Sequence, residues 1–295
     1  MIPAQSTFKN STPHDPLTTF LIYALLLVMA LFFLMPIYVF GVNSLKPLEE
    51  IQNRTLFALP NEWTLEPWRV AWSSAKIGLQ PTGLKPFFLN SFMIAVPAVV
   101  ISTGLGALNG YILNRWRFLG SEVLYTLMLI ACFIPFQVIL IPMAHLLGHL
   151  GLSQSLLGLV FAHVIYGLGI STMFFRKYYQ RLPVEILHAA QIDGAGFLTI
   201  FYRILLPLSG PIIVVCAVWQ FITVWNDFLL GTSLAGIGAM PVTVALNHLV
   251  ASSTSVKAYN VHLAAALIAA LPTLIVYALC GRLFMRGLTS CVVKG

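Results

Sequence analysis

Hydrophobic positions in this chain form long unbroken runs, in contrast to the helical or alternating patterns of half-buried elements in soluble domains. A hydrocarbon core about 30 Å thick is crossed by about 20 apolar residues of helix. Six runs reach that length between charged or Pro/Gly-rich breaks: roughly Leu17–Val42, Phe87–Leu113, Glu122–Met143, Leu156–Phe175, Ser209–Leu230 and Val261–Phe284. The pattern predicts an all-α membrane protein with six transmembrane helices. The first run is too long for a signal-peptide core and reads as an uncleaved anchor. Pro97, Pro135, Pro142 and Pro272 fall within runs and are expected to bend their helices. Gly104, Gly106, Ala107 and Gly110 are small residues of the kind that let helix backbones approach closely in lipid.

Composition closes off other classes. Hydrophobic residues make up 59% of the 295 and charged ones 8%, against about 45–50% and 25% in ordinary soluble domains. A mean hydropathy of +0.89 is incompatible with a soluble enzyme or a disordered chain. The net charge of +7 would suggest nucleic acid in a soluble domain, but here the basic residues flank apolar runs and no nucleic-acid role is expected. Six spans put both termini on one side. With that side cytoplasmic, ten of the 16 Lys and Arg lie inside: Lys9, Arg115, Arg117, Arg176, Lys177, Arg181, Arg203, Arg282, Arg286 and Lys294. Of the outer six, all but Lys257 lie in residues 43–86 beside four Glu. Both termini are therefore expected in the cytoplasm.

The resulting division is a cytoplasmic segment 1–16, a six-helix domain 17–284 and a cytoplasmic tail 285–295. Within the domain lie an external segment 43–86, a cytoplasmic loop 176–208 and an external loop 231–260. Trp63, Trp68 and Trp72 make 43–86 an outer cap in which aromatic packing is expected rather than ligand contact. Cys132, Cys216, Cys280 and Cys291 stand singly and read as small buried hydrophobes. His145 and His149 are one helical turn apart without a third ligand nearby, so no metal is expected.

An ionisable residue inside a span is a functional candidate, and Asp227 in "WQFITVWNDFLLG" is the one acid so placed. Trp219, Gln220, Thr223, Asn226 and Asp227 can form a polar stripe with aromatic flanks, a composition suited to a neutral polyhydroxyl ligand; Gln137 in the third run joins this candidate path. The same stripe serves equally as helix–helix hydrogen bonding with Trp225 as an interface anchor. No phosphate-binding Gly-Lys loop is present. Repeated intramembrane acids or interrupted helices, the usual marks of an ion-coupled carrier, are not evident either. Any energy is expected from a partner.

Residues 176–208 form a long, apolar and patterned connection. Pro183 can start a helix with Glu185 in its first turn. Ala189, Ala190 and Gln191 continue it, "DGAG" breaks it through Gly194, and Asp193 is placed to cap a second amphipathic helix ending at Pro207. The expected helix-turn-helix is either a knob for a groove on another protein or a pair lying in the membrane interface.

"LPVEILHAAQIDGAG", followed by "ILLPLSGP", resembles the EAA loop of ABC-importer permeases of the carbohydrate family. "RLFMRGLTSCVVKG" resembles that family's closing segment, and "VWNDFLLG" its W-N-[ED]-[FY]-L. The family's usual Glu of E-A-A is His188 here. "GLKPFFLNSF" and "ALNGYILNRWRF" look most like glucose- and glucosylglycerol-type permeases, within the class of the maltose-transporter inner subunit.

The resemblance implies a type I ABC importer permease fold in a bacterial inner membrane and no catalysis by this chain. The implied partners are a second permease, a homodimeric ATPase that holds ATP and Mg, and an extracytoplasmic sugar-binding protein. It places Glu185, His188, Ala189, Ala190, Asp193, Gly194 and Ala195, with Ile204, Leu206 and Pro207, in the ATPase cleft. The tail Arg286, Gly287, Leu288, Lys294 and Gly295 contacts the ATPase too. Outside, Gly236, Gly238, Met240 and Pro241 belong to a flexible loop pushed into the binding protein. A self-contained secondary carrier is the alternative.

Overall fold

A computed structural model of the chain describes residues 16–292 apart from 54, 79, 116, 117 and 252–256. Fourteen α-helices follow one another among the described residues. Four are long and apolar enough to cross a membrane alone: α1 (Pro16–Asn43), α4 (Lys85–Arg115), α7 (Leu156–Tyr179) and the Tyr259–Gly281 part of α14 (Tyr259–Val292). Two bent pairs are apolar and long enough only when each is taken together, α5 (Ser121–Cys132) with α6 (Phe136–His149) at 107°, and Phe197–Leu208 with α11 (Gly210–Trp225) at 77°, so the described residues hold four spans, or six if each pair is one span. No part of the apolar window of α1 is buried within the chain. A surface of Phe, Leu and Ile of this kind needs lipid or another protein as its solvent.

The bends are sharper than six continuous spans allow. Pro135, which lacks an N–H, stands at the start of α6 after a tight turn in which Phe133 and Ile134 donate to Ile130 and Ala131. At the second bend the buried Ser209 hydroxyl takes the Leu205 carbonyl at 2.6 Å and lies 3.1 Å from the Tyr179 hydroxyl. This break comes two residues after Pro207; Pro207 itself sits within α10 (Leu206–Leu208). The expected fifth span therefore stops at Trp225, so Asn226 and Asp227 lie beyond it, and the sixth runs unbroken through Pro272 to Val292. The tail at Arg286, Gly287 and Leu288 is thus the backbone of α14, with side chains outside the described set, as are Lys294 and Gly295 entirely.

The pair α4–α7 is the most extensive helix contact. A Cβ at Gly106 would stand 2.4 Å from that of Ser171, and one at Gly110 2.7 Å from that of Phe175. These glycines permit the close approach expected of small residues in lipid. Gly104 faces open space and takes no part.

Two apolar cores lie along this pair. One joins α4 and α7 (Ala95, Ala98, Leu159, Ala162) to Trp225, Leu230, Val242 and the Ala264–Ala269 stretch of α14. The other lies toward the opposite end and joins Ala107, Tyr111, Phe175 and Tyr179 to Leu187, Ile200, Leu205 and Ile212.

Segment 43–86 folds onto the first end as α2 (Leu48–Asn53) and α3 (Glu66–Ser73). Trp68 donates to Ser44, and Trp72 meets Phe88 edge-on; Trp63 is 65% exposed. Lys46 is fully buried with its ammonium on Asn43 at 3.0 Å, and its carbonyl accepts from Asn260 at the start of α14.

Gly106→Val and Gly110→Val are expected to destabilise the protein by about 1–3 kcal/mol each through overpacking, while Gly104→Val has little effect. Thermal denaturation of the detergent-solubilised chain measures the difference.

Candidate functional site

Two places gather chemistry. The first is a cavity of about 530 Å³ lined by α7, α11, the chain after α11 and the facing ends of α5 and α6. Gly167 on α7 leaves room for the Gln220 side chain, since a Cβ there would fall 2.1 Å from the Gln220 amide nitrogen. Trp219, Gln220, Thr223, Asn226 and Asp227 all line it, together with Phe136, His163 and Tyr166. Gln137 does not: it is exposed on α6 beyond the bend at Pro135.

The polar groups here are partly engaged with the protein. Gln220 is buried and donates to the His163 carbonyl at 3.1 Å; Thr223 donates to the Trp219 carbonyl at 2.9 Å and Asn226 to that of Ile222 at 3.0 Å. For Gln220 the bond between helices is realised. Trp225 is core: it is buried, donates to the Ala269 carbonyl at 2.9 Å and packs on Phe88, Phe92 and Phe221. It is no interface anchor. Trp219 remains 47% exposed, and the Tyr166 hydroxyl is buried without a hydrogen-bond partner among the described residues.

Asp227 holds the break. Its carboxylate accepts from the N–H groups of Leu230 (3.3 Å) and Gly231 (3.0 Å) in the first turn of α12 (Leu229–Leu234), where free N–H groups and the helix dipole favour an anion. Its carbonyl accepts from Thr243. Its Oδ2 lies 3.8 Å from Nε2 of His163, and both side chains are almost wholly buried. His163 is the functional candidate that a search for acids misses; the rule for ionisable residues inside spans, applied to imidazoles, finds it in "VFAHVIYG".

The second place is the helix-turn-helix of residues 184–208. Helix α8 (Val184–Ile192) begins after Pro183, with Glu185 in its first turn. Gly194 adopts φ +78°, and the turn closes through Gly194 N–H to Gln191 (3.0 Å) and Ala195 N–H to Ala190 (2.9 Å). Asp193 ends α8 without capping the second helix; Gly196 precedes α9 (Phe197–Ile200), which carries on through a π-helical turn at Phe201–Leu205 into α10. The Tyr111 ring stacks on Phe197 at 4.7 Å, and Tyr178 donates to the Leu208 carbonyl at 2.6 Å. The loop is thereby fixed to α4 and α7.

Of the docking candidates, Glu185, His188, Ala189, Asp193, Gly194 and Pro207 are exposed, Ala195, Ile204 and Leu206 half-buried, and Ala190 buried in the second core. Ile192, 86% exposed, extends the apolar surface. Arg176 is drawn away from the loop onto Glu122 (2.5 Å) and over the Tyr125 ring.

The glycine-bearing segment after α12 is folded down onto the bundle. Asn90 donates to the carbonyls of Gly238 (3.0 Å) and Met240 (3.1 Å), and Gly236 meets Gln154. Pro241 is buried and Met240 half-buried, leaving Ile237 and Gly238 at the exposed tip. Two short helical pieces, at Ile237–Ala239 and α13 (Val242–Ala251), replace the long flexible turn expected there.

Comparison with known proteins places this geometry. Residues 98–288 match the family of binding-protein-dependent transport system inner membrane components. A probable ABC transporter permease of Pyrococcus horikoshii is 37% identical over 94% of this chain and 98% of its own length. The glucose import system permease of Saccharolobus solfataricus is 30% identical over 91% of this chain and 92% of its own. The crystal structure of a bacterial ABC transporter importing alginate has the same fold at TM-score 0.76 and 19% identity, covering 93% of this chain and 99% of that one.

Asp227→Ala removes two N–H acceptors and the partner of a buried imidazole. A loss of about 1–2 kcal/mol is expected, read as a lower denaturation midpoint in detergent, with Asp227→Asn losing less.

Proposed function

The chain belongs to the family of binding-protein-dependent transport system inner membrane components, and from that premise we propose that it is the permease subunit of an ATP-driven sugar importer. Membership implies a partner ATPase and a binding protein. In this reading a second permease completes the path, and glucose, a small glucoside such as glucosylglycerol, or a disaccharide is the cargo. The glucose permease of Saccharolobus solfataricus and the "GLKPFFLNSF" segment support that class. Both termini and residues 176–208 face the cytoplasm of a bacterial inner membrane, as the distribution of Lys and Arg favours.

The observation that carries the reading is the exposed helix-turn-helix. Glu185, Ala189, Asp193 and Gly194 stand free at its surface while Leu187 and Ala190 fix it from behind. A rigid knob with small residues at its tip suits a groove in an ATPase. The tail from Arg286 to Gly295 extends the same contact. The cavity at Trp219, Thr223, Asn226 and Asp227 offers an indole face with amide, hydroxyl and carboxylate groups, and is the proposed sugar path. Gly236, Gly238, Met240 and Pro241 serve the binding protein through the short tip at Ile237–Gly238.

Alternating access needs the ATPase to bind two states of the permease with different affinity. The carrier alternative has one observation in its favour, the buried His163–Asp227 pair at the cavity. Uptake in liposomes separates the two. An ATP-driven importer moves sugar only with its ATPase and ATP and is indifferent to a protonophore, whereas a carrier works alone and collapses with the proton gradient.

Gly194 supplies the sharper test. A Cβ there meets nothing within 4 Å, so bulk is tolerated and the constraint is the left-handed backbone. Gly194→Val costs about 1–3 kcal/mol of local strain and is expected to leave the protein in the membrane while abolishing sugar-stimulated ATP hydrolysis. Gly194→Asn, which tolerates this conformation, retains most of it. Equal activity of both variants would exclude a docking role for the turn.

A further inference from the structure

Behind the exposed face of α8 lies a second polar cavity, of about 210 Å³, between that helix and the end of α4. Its polar lining is Arg115 and Tyr111 from α4 and His188 and Gln191 from α8; Leu187 and Ile200 supply apolar wall. Each pair is spaced for one helix face, Tyr111 with Arg115 at i,i+4 and His188 with Gln191 at i,i+3. No Asp or Glu lines the cavity. The Nε of Arg115 is buried and has no hydrogen-bond partner among the described residues.

A guanidinium N–H withdrawn from water and left unpaired costs on the order of 1–3 kcal/mol or more. Its planar fork matches a tetrahedral anion better than any neutral group. Arg115 is also the last residue of a membrane-crossing helix, which puts it at the depth of lipid headgroups. The volume is below the roughly 300 Å³ at which pockets for drug-sized ligands begin, so a single anionic group fits and a nucleotide does not.

We propose that this cavity binds a phosphate group, held by Arg115 with His188 and Gln191 as further donors, and that the anion fastens α8 to the end of α4. An anionic lipid headgroup and free phosphate offer the same chemistry. The bound anion sets how firmly the knob of the helix-turn-helix is held to the bundle, so occupancy tunes the stiffness of the element without touching the cavity near Asp227. The site shares His188 with the docking face of α8, while Arg115, its principal ligand, lies on α4.

The test uses the full-length chain with whatever subunits it retains, purified in neutral detergent. Native mass spectrometry reads retained phosphatidylglycerol, and calorimetric titration reads binding of inorganic phosphate. One anionic ligand per chain is expected. Arg115→Gln should weaken it at least about tenfold, the loss of one charge-assisted bond. His188→Glu, at an exposed position, should do the same by supplying a competing carboxylate. Arg203→Gln removes an exposed cation from the adjoining helical segment and should leave binding intact.

Retention of lipid with no phosphate heat identifies the headgroup as the source, and phosphate binding without lipid identifies solution. Absence of both, or equal weakening in all three variants, overturns the site. Gel filtration verifies that each variant is folded.

Discussion

The rest of the molecule is built on the close approach of α4 and α7. In lipid, two apolar helices gain nothing by hiding from their solvent, and association depends on van der Waals contact at short range. Gly106 and Gly110 opposite Ser171 and Phe175 supply that range. Because both cores run along this one pair, the capping segment at one end and the helix-turn-helix at the other are attached to the same rigid body. A side chain at either glycine would disturb both ends.

Irregular backbone at membrane depth is tolerated where it is covered by protein or lines a cavity. The chain breaks at Phe133–Pro135 and again after Trp225, and both breaks border the same cavity through Phe136 and Asp227. Asp227 makes the second break tenable by taking the N–H groups that the new helix α12 leaves free. Its carboxylate is thus a structural group first. The proposed sugar path owes its shape to it, while the indole of Trp219 is the group with surface to offer.

One helix joins the two sites. α11 starts at Gly210, next to the Ser209–Tyr179 contact that holds the end of the loop, and runs to Trp219, Gln220 and Thr223 at the cavity. Gln220 bonds across to α7, so the two helices move together or the bond is lost. A displacement of the helix-turn-helix by a partner would reach the cavity along this path as a rigid-body shift, the kind of motion packed helices transmit. The stacked rings of Tyr111 and Phe197 provide the other attachment, to α4.

The features legible in the sequence were those that local chemistry or overall hydrophobicity dictates. The length of the runs marked the segments apolar enough for a membrane, and Pro183, Glu185 and Gly194 set a helix, its start and the turn that ends it, because each acts on its own backbone. The stripe from Trp219 to Asp227 was also visible, since one helix and the turn after it hold all its members. Tertiary structure decided the rest. It turned Gln137 outward, buried Trp225 and Ala190, and drew Arg176 onto Glu122; it also folded Met240 and Pro241 against the bundle and set His163 beside Asp227 and Arg115 beside His188. Each of these depends on which neighbour arrives from a distant part of the chain, and a hydropathy pattern carries no record of that.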